Sequence, residues 1–419
     1  MNVTVSAAPV SGSVRVPSSK SQLHRLLIAA ALGDAPVTIA YCGLSADIRA
    51  TADCLRALGA EIALSDETIL VHPITHVPDG ICTLPCGESG STLRFLLPLC
   101  GALGAKAVFQ MEGRLPERPL APLDDQLRLH GMQIVQHGAR LHVSGRLRPG
   151  SFTLPGNVSS QYLTGLLLSL PLLTDASTLT VTGRLESAPY VAMTEQVLAQ
   201  SQLQIENTPD GWRIPGTQRY ALPAHCTAEG DWSSAAALLC MGALSPQGVT
   251  VDGLNPSSAQ GDRMIAALLR QFGADVTWDA QRLTVRRSAL HGILRIDASQ
   301  IPDLVPVLAA LAACADGTTE ITNAARLRLK ESDRLATTAA MLNALGADVT
   351  EQPNGLVIHG RAQLMGGTAD ASGDHRIAMA AAAAACACAQ PVTITGAQAV
   401  QKSYPRFWDD LQKLKGGAL

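Results

Sequence analysis

Leu58-Gly59-Ala60-Glu61-Ile62 closes a helical pattern on a glycine and opens a strand, and the same phrase keeps returning. It recurs as His130-Gly131-Met132-Gln133-Ile134, Phe272-Gly273-Ala274-Asp275-Val276 and Leu345-Gly346-Ala347-Asp348-Val349. A degenerate copy stands at Gln200-Ser201-Gln202-Leu203-Gln204-Ile205. Gly59, Gly131, Ser201, Gly273 and Gly346 are 72, 70, 72 and 73 residues apart. A last helix, expected from Trp408 to Lys415, reaches Gly416 after another 70. Glycine suits a helix end because φ > 0 costs it little.

Two further series keep the same period. Ser19, Gly90, Ser160, Asp231, Asp303 and His375 mark polar, small-residue turns before apolar helices, spaced 71, 70, 71, 72 and 72. Asp47, Arg118, Pro189, Gly261, Ser332 and Tyr404 open the second helix of each unit, spaced 71, 71, 72, 71 and 72. Short β-rich stretches such as Val37–Ala40, Thr68–His72 and Val392–Thr395 fill the gaps. Chance periodicity explains one such series more easily than three in register. The unit reads as strand-helix-strand-helix-strand-strand, about 70 residues long and repeated six times. Six units exceed one core, so three plus three in two domains is the economical grouping, with the midpoint near Ala221–His225.

The 419-residue chain is 47% hydrophobic, 16% charged and only 3% aromatic, with a net charge of −3. Few aromatics and no basic excess argue against a nucleic-acid surface. The longest apolar run, Ile377–Ala389, is short of the roughly 18 residues a membrane span needs, so a buried helix is expected and no membrane partner. Ten cysteines lie mostly in apolar runs without a Cys-x-x-Cys pair, and Met1–Val10 carries no secretory signal. Reduced core thiols in a cytoplasmic protein, with no metal site, are the expectation.

Unusual charge gathers at the helix starts. Arg326-Leu327-Arg328-Leu329-Lys330-Glu331-Ser332-Asp333-Arg334 packs four cations and two carboxylates into nine residues. A helix starting near Lys330 would put Lys330 and Arg334 at i and i+4 on one face, with Glu331 about 100° around the axis. A solvated face laced by Glu–Arg pairs gives the same pattern. Lys20, Ser21 and Arg25, then Arg94, Glu117 and Arg118, then Ser159, Ser160, Gln161 and Ser187 lie at other helix starts, followed by Asp303, His375, Arg376 and Lys402. Cations there oppose the helix macrodipole, which favours anions. Two like charges about 4 Å apart repel by roughly 4 kcal/mol at an effective dielectric near 20. Such a crowd suits a site for multiply charged anions. Individually, Arg94 is as good a structural partner as a ligand contact, Ser159 and Ser160 are candidate N-caps, and Asp374 is another.

Taken as an ordered set, these residues resemble the 5-enolpyruvylshikimate-3-phosphate (EPSP) synthase family along essentially the whole chain. The resemblance rests on Lys20-Ser21 with Arg25, the turn Gly87–Arg94, Arg118-Pro119 and Ser159-Ser160-Gln161. It continues through Pro302-Asp303, Lys330-Glu331-x-Asp333-Arg334, Asp374-His375-Arg376 and Lys402-Ser403-Tyr404-Pro405. It implies an α/β fold of two domains, each of three βαβαββ repeats, an inverse α/β barrel of the enolpyruvyl transferase type. The expected domains are 17–228, and 229–419 joined by 1–16, with the active site in the cleft between them. The implied reaction moves the carboxyvinyl group of phosphoenolpyruvate to the 5-hydroxyl of shikimate 3-phosphate and releases phosphate, a step toward chorismate and aromatic amino acids. No metal or organic cofactor is implied, and a monomer is expected.

By the same resemblance, Lys20, Gly90, Arg118, Gln161, Arg334, Arg376 and Lys402 would hold phosphoenolpyruvate. Lys20, Ser21, Arg25, Ser159, Ser160, Gln161, Ser187, Asp303, Arg326 and Lys330 would hold shikimate 3-phosphate. Asp303 and Glu331, with Lys20 nearby, fit the base and acid that the chemistry needs. This chain departs from many members at Ser18, Leu23, Glu88 and Arg326. Glu88 would repel a phosphate unless it turns away or pairs with a cation. The sister family that uses UDP-N-acetylglucosamine shows Lys-Asn in the first motif and usually a loop cysteine. Here the motif is Lys20-Ser21, and Gln110–Pro119 has no cysteine. A non-catalytic six-repeat scaffold would have little use for Asp303 and Glu331 among so many cations. If ligand residues come from both halves, binding should close them about crossings near Val14–Pro17 and Ala224–Gly230. X-ray scattering with saturating shikimate 3-phosphate and an inhibitor should then show a smaller radius of gyration; an unchanged value would refute closure.

Overall fold

The glycine-ended helices form where the repeats put them. The computed structural model describes residues 1–417. Gly59, Gly131, Gly273 and Gly346 follow their helices with φ between 89° and 109°. In the degenerate copy Ser201 keeps φ −85°, and the left-handed step falls on Gln202 at φ 61°.

One compact unit runs from Ser19 to Ala228. Its helices are α1 (Lys20–Ala31), α2 (Ala46–Ala57), α3 (Gly90–Leu103), α4 (Leu123–Leu129), α5 (Ser160–Ser169) and α6 (Ala188–Gln200). Three four-stranded sheets accompany them. The sheet of the second repeat shows the plan: Ile81–Gly87 pairs parallel with Lys106–Met111, which pairs antiparallel with Arg140–Ser144, itself antiparallel to Gln133–His137. The parallel pair needs a crossover, and α3 provides it. The helix is buried along Gly90–Gly101 apart from Ser91 and is therefore apolar nearly all round. It packs on α5, where a Cβ at Gly165 would collide with the Arg94 carbonyl.

The other unit joins Met1–Ser18 to the chain from Glu229 on. It carries α7 (Trp232–Ala243), α8 (Ile265–Gln271), α9 (Val305–Ala312), α10 (Arg334–Ala344), α11 (His375–Ala384) and α12 (Phe407–Leu414). Helices α7, α9 and α11 pack on one another, and every residue of α9 and α11 is buried. The helix expected within Ile377–Ala389 is thus α11, continued by a 3-10 turn at Ala385–Ala387.

The first eighteen residues contribute two strands to this unit. Gly12–Arg15 pairs parallel with Val249–Asp252, standing where the fourth repeat needs its first strand. Asn2–Val5 pairs antiparallel with Val392–Thr395, in place of the hairpin strand that the sixth repeat lacks. In the contiguous unit, His225–Thr227 pairs parallel with Val37–Ala40 and supplies the first repeat's opening strand. The division between units thus falls at Ser18/Ser19, two residues beyond the expected 1–16 boundary, and at Ala228/Glu229.

Two local expectations are corrected. Lys330 and Glu331 do not lie on a helix with Arg334. Ala325–Leu329 form a 3-10 turn, Lys330 is extended (φ −87°, ψ −159°), and α10 starts at Arg334. The cause is Asp333, whose carboxylate accepts the Ala336 N–H and caps a helix that starts four residues later than expected. Nor does the third series always open an α-helix directly: Arg118, Gly261, Ser332 and Tyr404 fall in or beside 3-10 turns or irregular backbone. All ten cysteines are free, eight of them buried. Among the described residues no helix is long and apolar enough to cross a membrane.

Candidate active site

Each unit assembles its own set of charged groups at the starts of its buried helices. In the contiguous unit, Ser19 caps α1 and Lys20 follows it, its ammonium 2.9 Å from Asp47 Oδ2 at the start of α2. Arg25, one turn on, is 2% exposed. It donates to Thr194 Oγ1 (2.8 Å), the Ser21 carbonyl (2.5 Å), Thr164 Oγ1 (3.1 Å) and the Tyr190 carbonyl (2.8 Å), and its guanidinium lies 5.1 Å from the Phe95 ring centre. Four of its five N–H groups are therefore held by protein. Arg25 ties α1 to α5 and α6.

At the start of α3, Ser89 caps the helix by accepting the Thr92 N–H, and Gly90 is the first helical residue. A Cβ on Gly90 would stand 2.6 Å from Arg94 Nη1 and 3.0 Å from Arg118 Nη1, so the missing side chain is what admits both guanidiniums. Arg94 donates to Gln161 Oε1 (2.8 Å), and Gln161 Nε2 donates to Ser91 Oγ (3.0 Å), which locks the start of α5 to that of α3. Ser159 is the α5 N-cap and accepts the Gln161 N–H at 3.3 Å. Ser160 is 8% exposed. Ser187 precedes α6 with φ 54° and ψ 36°, a left-handed conformation that is uncommon for a serine. Glu88 lies against Gly113 of the next loop, where a Cβ would come within 2.5 Å of its Oε1.

The other unit centres on Arg334, only 2% exposed. Its Nε donates to Asp374 Oδ2 (2.7 Å), Nη1 to Asp303 Oδ1 (2.7 Å) and Nη2 to Glu331 Oε2 (2.9 Å). Burial works against the charge on Arg334, but Asp374, Glu331 and Asp303 outweigh it and hold the guanidinium well above its usual range. Asp374 is a cap, as its position suggested, and more: it accepts the Arg376 N–H (2.9 Å) and the Ser332 hydroxyl (3.1 Å) as well.

Asp303, in the 3-10 turn before α9, faces Arg334, Arg376 Nη2 (3.3 Å) and Lys330 (4.0 Å). Desolvation pushes its carboxyl up, but Arg376, Lys330 and Arg334 prevail and hold it well below the usual carboxylate range. Lys330 is shifted down to about 8 by desolvation, which Asp303 partly opposes. Arg376 keeps Nε and Nη1 buried and without hydrogen-bond partners among the described residues. Lys402, 8% exposed, ends the 3-10 turn Ala397–Lys402, and Arg326 donates to the Ser299 carbonyl.

Some residues of these clusters were missed in the sequence. Asp262, 2% exposed, accepts the Ser233 hydroxyl, while its Oδ1 has no partner among the described residues. Burial raises its carboxyl to about 7, helped by Asp303 and opposed by Arg376. Its neighbour Gly261 was visible in the third series, but a buried acid beside Arg376 was not. Asp47 was seen as a helix start and not as the partner of Lys20. Among the described residues no group of three or more His, Cys, Asp or Glu is arranged to hold a metal ion.

The folding pattern is that of enolpyruvyl transferases. The chain superposes on an EPSP synthase structure from Acinetobacter baumannii with a TM-score of 0.81 at 24% identity, covering 99% of this chain and 98% of that one. The enolpyruvyl transferase NikO from Streptomyces tendae gives 0.80 at 23%, covering 99% and 97%. Sequence likeness goes further. The model of the EPSP synthase (3-phosphoshikimate 1-carboxyvinyltransferase) family matches residues 5–411. A 3-phosphoshikimate 1-carboxyvinyltransferase from Clostridium kluyveri is 41% identical over 419 residues, covering 99% of this chain and 97% of the relative. One from Halobacterium salinarum is 38% identical, with 99% of both covered. The chain belongs to the EPSP synthase family.

The Arg334 cluster makes a stability prediction. Removing one partner of a buried ion pair costs about 3–5 kcal/mol, so Arg334→Ala should destabilise its unit by about that much at pH 8. In the wild type, the depressed carboxyl of Asp303 contributes stability above the usual carboxylate range that is lost as pH falls through its folded value. In the variant the orphaned carboxylates gain by taking up protons, so the deficit should shrink at pH 5. Urea unfolding of both proteins at the two pH values checks it; a deficit that grows on acidification would contradict the assignment.

Proposed function

We propose that the two sets of charged residues act together in transferring the carboxyvinyl group of phosphoenolpyruvate to the 5-hydroxyl of shikimate 3-phosphate, with release of phosphate. The observation that carries this reading is Asp303, a carboxylate ringed by Arg334 at 2.7 Å, Arg376 at 3.3 Å and Lys330 at 4.0 Å. Held that way it is a poor base. Arriving substrate anions share the same cations, and as they draw on that positive charge the carboxylate becomes more basic. The base is then released when there is a hydroxyl to deprotonate.

The reaction runs by addition and elimination. Asp303 takes the proton of the 5-hydroxyl as its oxygen adds to C2 of phosphoenolpyruvate, while Glu331, with Lys20, delivers a proton to the methylene carbon C3. The adduct then loses a C3 proton and phosphate, restoring the double bond. Arg376, which donates from Nη2 to Asp303, adds its charge toward the phosphoenolpyruvate carboxylate. Lys20, Arg118, Arg334 and Lys402 add charge, and Gly90 with Gln161 lines the approach to the phosphate. Arg334 has one Nη1 hydrogen beyond its three carboxylates, so its part is mainly to hold Asp303, Glu331 and Asp374 in place. Shikimate 3-phosphate is held by Ser21, Arg25, Ser159, Ser160, Gln161, Ser187, Arg326 and Lys330. The protein works as a cytoplasmic monomer, a setting in keeping with ten free thiols.

Phosphate should appear only with phosphoenolpyruvate and shikimate 3-phosphate together, and a chelator should not slow its release. Turnover with UDP-N-acetylglucosamine in place of shikimate 3-phosphate would overturn the reading.

Gly90→Ala supplies a second check. The new methyl presses on the ends of Arg94 and Arg118 at 2.6 and 3.0 Å, displacing cations beside the phosphate approach. Glyphosate resembles phosphoenolpyruvate but is longer, so it should lose more affinity than the substrate does. Competitive kinetics should give a Ki for glyphosate that rises more than the KM for phosphoenolpyruvate. Equal changes would mean that Gly90 does not set this access.

A further inference from the structure

Beneath Lys20 and Gly90 runs a line of buried hydroxyls ending on a histidine that no step of the reaction uses. His24 Nδ1 is 2.7 Å from Thr51 Oγ1, Thr51 Oγ1 is 2.7 Å from Thr92 Oγ1, and Thr92 Oγ1 is 2.7 Å from Ser89 Oγ. His24, Thr51 and Thr92 are 0% exposed and Ser89 is 1% exposed. The four residues belong to three elements. His24 is one turn along α1 from Lys20, Thr51 is one turn along α2 from Asp47, and Ser89 caps α3 immediately before Gly90. The Lys20–Asp47 ion pair and the His24–Thr51 hydrogen bond are therefore successive rungs between α1 and α2, and Thr51–Thr92 carries the ladder on to α3.

Each hydroxyl has a single hydrogen, and that orders the line. Thr92 donates to Ser89 Oγ, which also accepts the Thr92 N–H. Thr92 must then accept from Thr51, and Thr51 must accept from His24. The weaker alternatives, from Thr51 and from Thr92 to the Asp47 carbonyl, are both 3.4 Å. The proton of His24 is thus on Nδ1, and its Nε2 is a bare acceptor, buried and without a partner among the described residues. The ring meets Phe95 edge-on at 6.0 Å between centroids. Burial brings the imidazole down to about 3, with Lys20 and Arg25 adding to the shift and Asp47 opposing it. His24 is neutral throughout the working range.

We propose that the His24–Thr51–Thr92–Ser89 line is a positioning device that fixes the Gly90 turn relative to Lys20, and so sets the affinity for phosphoenolpyruvate. The inference rests on the reading that Lys20, Gly90 and Arg118 hold that substrate. None of the four side chains need touch it. They determine the spacing of the helix starts that do, and a small displacement there weakens anion binding.

The test is Thr51→Val, which keeps the shape of the side chain and removes the hydroxyl, set beside Thr51→Ser, which keeps the hydroxyl. Thr51→Val should raise the KM for phosphoenolpyruvate about tenfold, the scale of one lost hydrogen bond. The KM for shikimate 3-phosphate should change less than twofold, and Thr51→Ser should restore most of the loss. The pH profile of kcat/KM should keep its shape, since a neutral His24 passes no proton. A Thr51→Val enzyme with both KM values unchanged, or with both raised equally, overturns the proposal even if it melts earlier. A shifted pH profile overturns it as well, by making the line a proton relay. Arg118→Gln separates this failure from that of the parent reading. If it raises the KM for phosphoenolpyruvate while Thr51→Val does not, only the positioning device is wrong. If Arg118→Gln leaves that KM unchanged, both fall.

Discussion

The carboxylate of Asp374 holds together the charged centre of its unit. It receives Nε of Arg334, the hydroxyl of Ser332 and the backbone N–H of Arg376, so one buried side chain joins the segment entering α10 to the start of α11. Placing an arginine at 2% exposure is costly unless its donors are met, and Asp374, Asp303 and Glu331 meet them. Two of those acids are the candidates for moving protons. The geometry of the chemistry and the solvation of Arg334 are therefore one problem with one solution.

The contiguous unit solves a similar problem with neutral groups. Arg25 is held by two threonine hydroxyls and two backbone carbonyls rather than by acids, and Arg94 by Gln161 and the Pro119 carbonyl. Neutral acceptors leave a guanidinium's charge uncancelled. Arg25 thus keeps a charge that no carboxylate cancels, although Lys20 of the same unit is paired with Asp47, while Arg334 is met by three acids.

The repeat was legible because glycine after a helix and a polar turn before one are backbone requirements, written into single residues at a fixed period. The unit boundaries were nearly legible for the same reason. What escaped notice depends on packing across long separations. Arg334 was read as a ligand contact on a shared face with Lys330, yet Asp333 caps the helix after both Lys330 and Glu331. Its burial by Asp374, forty residues on, leaves no mark on local spacing. Asp262 lies beside a glycine that the periodicity picked out, but its buried environment comes from Ser233 and from the charges of Asp303 and Arg376. His24 belongs to no spacing rule at all; only the juxtaposition of α1, α2 and α3 gives it a line of hydroxyls. Helix starts can be read from sequence, whereas the partners that neutralise them are chosen by the fold.

The loan of two amino-terminal strands to the far half of the chain has a consequence for how the molecule is made. Every pairing of the contiguous unit is available once Thr227 has emerged from the ribosome, because its sheets use only strands from Val37 to Thr227. Asn2–Val5, by contrast, must wait for Val392–Thr395, the last strand in chain order among the described residues. An early strand is thus among the last to be placed, and until its partner is made it stays unpaired. An unpaired strand of that kind is the segment most open to pairing with another chain, so the delay is a window for misassembly that the finished sheet closes.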